Sequence, residues 1–205
     1  GKLDKVMLEG DATSGNHGVL VGNAGGIPKG GGSICCGHDV GVVNFNDGFF
    51  ALMNGNIMAE YCVASGNTGN GFKVGYGGII TLLYAVSSGN SSDGMYAYHG
   101  GILNGSNIIT TGNTNAGIVA TINAIANVPS LTSSGNGGQG LLAIIRGVIY
   151  AATLVASKNN GEWGLYAGTS GYIEAPGATG VTGNTLGNYS PAVNTQGNEF
   201  GYINT

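Results

Sequence analysis

The sequence predicts an all-β protein: a right-handed parallel β-helix, a three-faced solenoid with coils about 23 residues long. Three observations carry this expectation. Glycine recurs at Gly48, Gly71, Gly94, Gly117 and Gly140 at a spacing of 23, then at Gly164 after 24. Apolar residues follow these glycines in fixed columns, and a Ser/Thr-Gly-Asn triplet closes most coils. Self-similarity at such a period is the mark of a solenoid.

The first column holds the residue after each glycine: Phe49, Phe72, Met95, Ile118, Leu141 and Leu165. Two places on lies a column of smaller residues, Ala51, Val74, Ala97, Ala120, Ala143 and Ala167. A third column follows at Ile57, Ile80, Leu103, Ala126, Ile149 and Ile173. Short runs with period-2 alternation, bounded by Gly and Asn, are strands. Three runs fit a three-faced coil, whereas a two-helix repeat needs about 33 residues or more.

The closing triplets place Asn67, Asn90, Asn113, Asn136 and Asn184 in one column, with Asn159 assigned to it in the fifth coil. Stacked amides hydrogen-bond from rung to rung, so this column reads as a structural ladder. Asn also tolerates the left-handed backbone of sharp corners.

Domain organisation follows from the register. Residues 1–17 are a first coil or a linker, 18–187 are coils, and 188–205 are a shorter rung that serves as a cap. Gly32, Ile34 and Asn44 fit the columns if about seven extra residues leave the stack as a loop near 25–32. Loops on rigid scaffolds often carry function. The opening Gly in place of Met points to a fragment of a longer chain.

Only 8% of the residues are charged, and the net charge is −4 with six Lys and Arg in all. No basic stripe is available for nucleic acid. The chain is nonetheless 42% hydrophobic, which argues against disorder. Membrane insertion is not expected, since no apolar run reaches the roughly 20 residues of a spanning helix. Cys35, Cys36 and Cys62 make neither a disulfide framework nor a C-x-x-C pair, so buried small hydrophobes are expected. No cofactor and no metal is expected; His17, His38 and Asp39 near the insertion make only a weak metal candidate.

If the columns point inward, Leu142, Ile144, Ile102, Ile125 and Val148 point outward. Soluble monomers seldom show water a large apolar stripe, so a homotrimer is expected to bury it. Phe50, Tyr76, Tyr96, Tyr98, His99 and Tyr166 also fall on or beside outward positions. Flat rings with polar tips suit either a protein interface or contact with sugars.

The 23-residue coils, the glycine-bounded strands and the Ser/Thr-Gly-Asn triplets resemble the β-helical domains of tailed-bacteriophage tailspikes and tail fibres. The segment from Ser190 through Pro191 to Asn198 is similar to sequence near the C-termini of such proteins. The resemblance implies a homotrimer on the virion tail, outside the cell at the host surface. It would bind a host surface polysaccharide or another receptor and join other tail proteins through a missing N-terminal part. It carries over no catalytic residues, because no family active-site motif can be matched here.

Read directly, two carboxylates deserve a test as a glycosidase pair. Asp47 and Asp93 share a coil position two rungs apart, so their backbones stand about 9.6 Å from each other. Inverting glycosidases separate their carboxyl groups by roughly 6.5–9.5 Å. Glu60, alone in its column, is a weaker candidate. Asp before Gly is also a preferred corner residue, and Asn70 and Gln139 share the column. The expectation is therefore an attachment and shaft segment with no catalytic role assigned to it; a polysaccharide depolymerase is the alternative.

Overall fold

A computed structural model describes residues 2–11, 16–22, 32–176, 178, 180–190 and 201–205. It is a parallel β-solenoid of the right-handed type, with three sheets and about 7 coils. The described residues contain no helix long and apolar enough to cross a membrane. Among the described residues the first face carries nine strands, including Asn56–Glu60, Ile79–Leu83 and Ile102–Ser106; the second carries eight, including Val63–Ser65, Val86–Ser88 and Ile108–Thr111. The third face also has eight described strands, including Asp47–Leu52, Phe72–Gly75, Met95–Tyr98, Ile118–Thr121, Leu141–Ile144 and Trp163–Ala167.

Each strand pairs in parallel with its counterparts one coil away, so Ile57, Ile80 and Leu103 align and Phe49, Phe72 and Met95 align. The first apolar column lines the core from Phe49 to Leu165 with no solvent exposure. The rings of Phe49 and Phe72 stack at 4.8 Å. Burying a side chain of this size contributes about 1.5–3 kcal/mol. The small column from Ala51 to Ala167 leaves room for the large residues of the opposing sheets.

The asparagine ladder is present, with one member corrected. Asn67, Asn90, Asn113, Asn136, Asn160 and Asn184 are buried. The Nδ2 of Asn67 donates to Oδ1 of Asn90 at 2.9 Å, Asn90 to Asn113 at 2.9 Å, and Asn113 to Asn136 at 2.9 Å. The backbone N–H of each also donates to the same oxygen. The fifth rung is Asn160, not Asn159, because Val155 forms a bulge: Leu131 pairs with Leu154 and Thr132 with Ala156. Asn159 is exposed and takes the left-handed corner at φ 53°, the place held elsewhere by Gly66, Gly89, Gly112, Gly135 and Gly183. Asn44 does the same at φ 60°, so Phe45 occupies the rung position and donates its N–H to Asn67.

The glycine column has a steric cause. A Cβ on Gly94 would lie 2.6 Å from the carbonyl oxygen of Gly117 and 2.8 Å from Nδ2 of Asn113; Gly71 and Gly140 are equally confined. The repeating glycine makes the space that the ladder fills.

At the N-terminal end, Lys2–Leu3 and Met7–Glu9 already pair as strands of the first and second faces. The extra residues of the early coil fall between Val21 and Ser33, since His17 aligns with Asp47 and Ser33 with Asn56. The loop expected near 25–32 lies outside the described residues except for Gly32, as does 191–200 of the expected cap. Gly187–Ser190 and Tyr202–Asn204 add strands to the third and first faces.

Replacing Asn113 by Leu is expected to lower stability by about 3 kcal/mol or more, because the buried Asn90 N–H and amide lose the Asn113 oxygen and Asn136 Oδ1 loses one of its two donors. Asn115 is exposed, and Asn115→Leu is expected to change stability by less than about 0.5 kcal/mol. Urea unfolding of the two variants checks this; equal midpoints would refute the ladder's role.

Candidate functional site

Outward positions of the third face are set by the pleat: with Phe72, Met95 and Ile118 turned in, Lys73, Tyr96 and Val119 turn out. Two side chains per strand thus reach the surface, followed by a tight corner leading to the first face. That corner has two successive left-handed residues in each coil: Tyr76–Gly77, His99–Gly100, Ile122–Asn123 and Ile145–Arg146.

Four of the six aromatic candidates come together on this face. Tyr96 and Tyr98 stack at 5.1 Å, Tyr76 meets Tyr98 edge-on at 5.3 Å, and Tyr76 stacks on His99 at 4.9 Å. Phe50, expected outward, is instead buried, with His17 meeting its ring edge-on at 5.1 Å and Lys73 Nζ 4.8 Å from its centre. Tyr98 lies flat because its partner in the preceding coil is Gly75; a Cβ there would stand 2.3 Å from the Tyr98 ring. Burial, with Tyr76 and Tyr96 close by, pushes the Tyr98 hydroxyl up to about 12, so it stays a hydrogen-bond donor at neutral pH. Tyr166 is separate, beyond Leu142 in the same outward column.

Beside this cluster the face becomes concave. Val119 and Thr121, both small and only 4% exposed, lie between Tyr96 on one side and Leu142 and Ile144 on the other. The resulting groove has a volume of about 520 Å³. Ile122 and Ile145 stand at its corner edge, while Asp93, Gln139 and Glu162 stand at the opposite edge of the strands. The two isoleucines hold φ of 52° and 50°, which branched side chains rarely adopt. Such strain is concentrated at functional positions. Gln139 donates a hydrogen bond to Glu162.

The proposed carboxylate pair is divided by its surroundings. Asp47 is 1% exposed and both of its oxygens are engaged. Oδ1 accepts from the backbone and side-chain N–H of Asn70, each at 2.9 Å; Oδ2 lies 3.1 Å from Lys73 Nζ and 3.3 Å from His17 Nδ1. Burial alone would raise this carboxyl, but His17, Lys73 and Asn70 outweigh it and bring it down to about 2. Asp93 has the opposite character: burial pushes it up to about 6, against the 3.0 Å hydrogen bond it accepts from the Ala116 N–H. Asn70 sits between them, accepting the N–H of Asp93 at 3.2 Å. Asp47 therefore has a structural part to play, and Asp93 is the member of the pair that reaches the groove.

Glu60 is placed elsewhere, on the first face, where it lies 3.3 Å from His38. His17 and His38 are thus engaged at different sites, and among the described residues no group of three His, Cys, Asp or Glu could hold a metal ion. Cys36 and Cys62 are buried, and burial pushes their thiols up to about 11 and 12; Cys35 is exposed. The groove itself escaped the sequence reading. Its signal is the run Ala116, Val119 and Thr121, small residues flanked one coil away by Tyr96 and Leu142.

Comparison with protein-family models, with curated proteins and with solved structures finds no match to this chain.

Stability is expected to peak near pH 4. Asp47 contributes stability that is complete above its ordinary value of 3.8 and lost as pH falls toward about 2. Asp93 favours the folded state while protonated, a contribution present below 3.8 and lost as pH rises through about 6. Thermal melts from pH 2 to 7 should show both limbs, with Asp93→Asn flattening the upper one and Asp47→Asn the lower.

Relief of the corner strain gives a second expectation. Ile145→Asn should raise stability by about 1 kcal/mol, since Asn accepts the left-handed backbone and Ile145 is 40% exposed. A fall in melting temperature would contradict that account.

Proposed function

We propose that the chain is a segment of a tail spike or tail fibre of a tailed bacteriophage, a shaft whose third face attaches the virion to a host surface polysaccharide. The observation that carries this reading is the groove floored by Val119 and Thr121 and bordered by Tyr96, whose ring stacks on Tyr98 and so adjoins the cluster with Tyr76 and His99. Tyrosine rings present an apolar face to the C–H side of a sugar and a hydroxyl to its edge. Asp93, Gln139 and Glu162 add polar groups along one side, as ligand sites combine a mostly apolar lining with a few placed polar groups. The coil length and the Ser/Thr-Gly-Asn triplets support the phage assignment.

Self-association as a homotrimer belongs to the same proposal. Leu142, Ile144, Ile102, Ile125 and Val148 are each half-buried by their neighbours within one chain. Met58 and Val63 remain exposed and would gain most from a covering copy.

A depolymerase is the second reading, favoured by Asp93 alone: a carboxyl that titrates near 6 beside a groove can serve as a general acid. Its partner would be Glu162, since Asp47 has no free oxygen. Three rungs separate Asp93 from Glu162 along the stack, or about 14 Å, too far for either glycosidase geometry within one chain.

Light scattering should give a mass near three chains, and an array of bacterial surface polysaccharides should include one that is bound with its chain length unchanged. Tyr96→Ala should weaken that binding by roughly tenfold or more. Shortened polysaccharide would favour the depolymerase, and a monomer that binds nothing on the array would refute the proposal.

A further inference from the structure

A second ring stack runs along the corner between the first and second faces, away from the groove. His38, Tyr61, Tyr84, Asn107, Ser130 and Thr153 occupy this corner at intervals of 23 residues. The first three stack: His38 on Tyr61 at 4.9 Å and 22°, Tyr61 on Tyr84 at 4.7 Å and 14°. The stack then stops. The corner backbone does not change there, with φ of 51° at Tyr61, 54° at Tyr84 and 56° at Asn107. Only the side chain shortens, which leaves one side of the Tyr84 ring open.

The opening is a groove of about 350 Å³. Val86 and Ile109 make its apolar floor, and Ile109 is 43% exposed. Asn107, Ser130 and Thr132 line it with amide and hydroxyl groups, and Ser130 already donates to Asn107 Oδ1 at 3.3 Å. None of the side chains lining the groove is charged.

We propose that this gap is a second carbohydrate subsite, taking one neutral pyranose ring whose C–H face continues the His38–Tyr61–Tyr84 stack. The inference rests on the reading of the chain as a polysaccharide-binding protein and adds a separate contact on another face. A ring in the gap meets an aromatic face on one side and aliphatic carbons beneath, with hydrogen-bonding groups at its edge. That alternation matches the C–H and hydroxyl pattern of a neutral sugar. An acidic sugar would find no cation there. Two sites on one rigid rod also raise the avidity of the whole shaft for a repeating polymer.

The decisive variant is Asn107→Tyr, which extends the stack by one ring and fills the gap with the protein's own side chain. It is expected to fold with a slightly lower melting temperature, because Asn suits φ 56° better than Tyr and the Ser130 hydrogen bond is lost, while Tyr61 and Tyr84 show that a ring can hold this backbone conformation. The full chain, Asn107→Tyr, Tyr84→Ala and Tyr96→Ala would be titrated with the neutral polysaccharides of the same array. Asn107→Tyr and Tyr84→Ala should each weaken binding by roughly tenfold. Binding that is lost in Tyr96→Ala but untouched in the two corner variants would overturn the subsite and leave the proposed function standing. Absence of any binding by the unaltered chain would overturn both.

Discussion

The packing of an asparagine ladder against a glycine column is the constraint on which the rest of the structure depends. Each amide from Asn67 to Asn184 is buried, and an unpaired buried amide is costly. Stacking is what satisfies it, and stacking demands that the rungs stay in register. The glycines abut the amides so closely that any side chain in their place would push the coils apart. Register, once held there, aligns Phe49 with Phe72 and Ile57 with Ile80, and it fixes the core in every coil.

Because the ladder and the core carry the stability, the outward positions are free to vary from coil to coil. On the third face they alternate between large and small: Tyr96 and Tyr98, then Val119 and Thr121, then Leu142 and Ile144. A groove arises from that alternation without any departure from the regular backbone. The corners add a local cost, since Ile122 and Ile145 hold a conformation that Gly or Asn would adopt more easily. Both border the groove, while the same backbone recurs at this corner in the neighbouring coils, at Tyr76 and His99.

The same regularity explains the electrostatics. Asp47 and Asp93 hold equivalent places in the repeat, yet one is held near 2 and the other near 6. The difference comes from neighbours outside the repeat: His17 and Lys73 surround Asp47, whereas the N–H of Ala116 alone offsets the burial of Asp93. Repetition sets position, and the irregular residues set chemistry.

The sequence by itself determined the solenoid, its coil length, the inward columns and five of the six rungs, because a period of 23 repeats the same backbone environment and leaves the same residue types at each place. It also marked Tyr76, Tyr96, Tyr98 and His99 as outward or close to outward positions. Tertiary structure alone decided that Asn160 replaces Asn159, since a one-residue bulge at Val155 moves the frame without altering the local Asn-Asn pattern. It likewise decided which of those rings touch, that Asp47 is sealed, and where the grooves lie. Those features depend on side chains brought together across coils, and their volumes and hydrogen bonds in three dimensions are not written in any spacing along the chain.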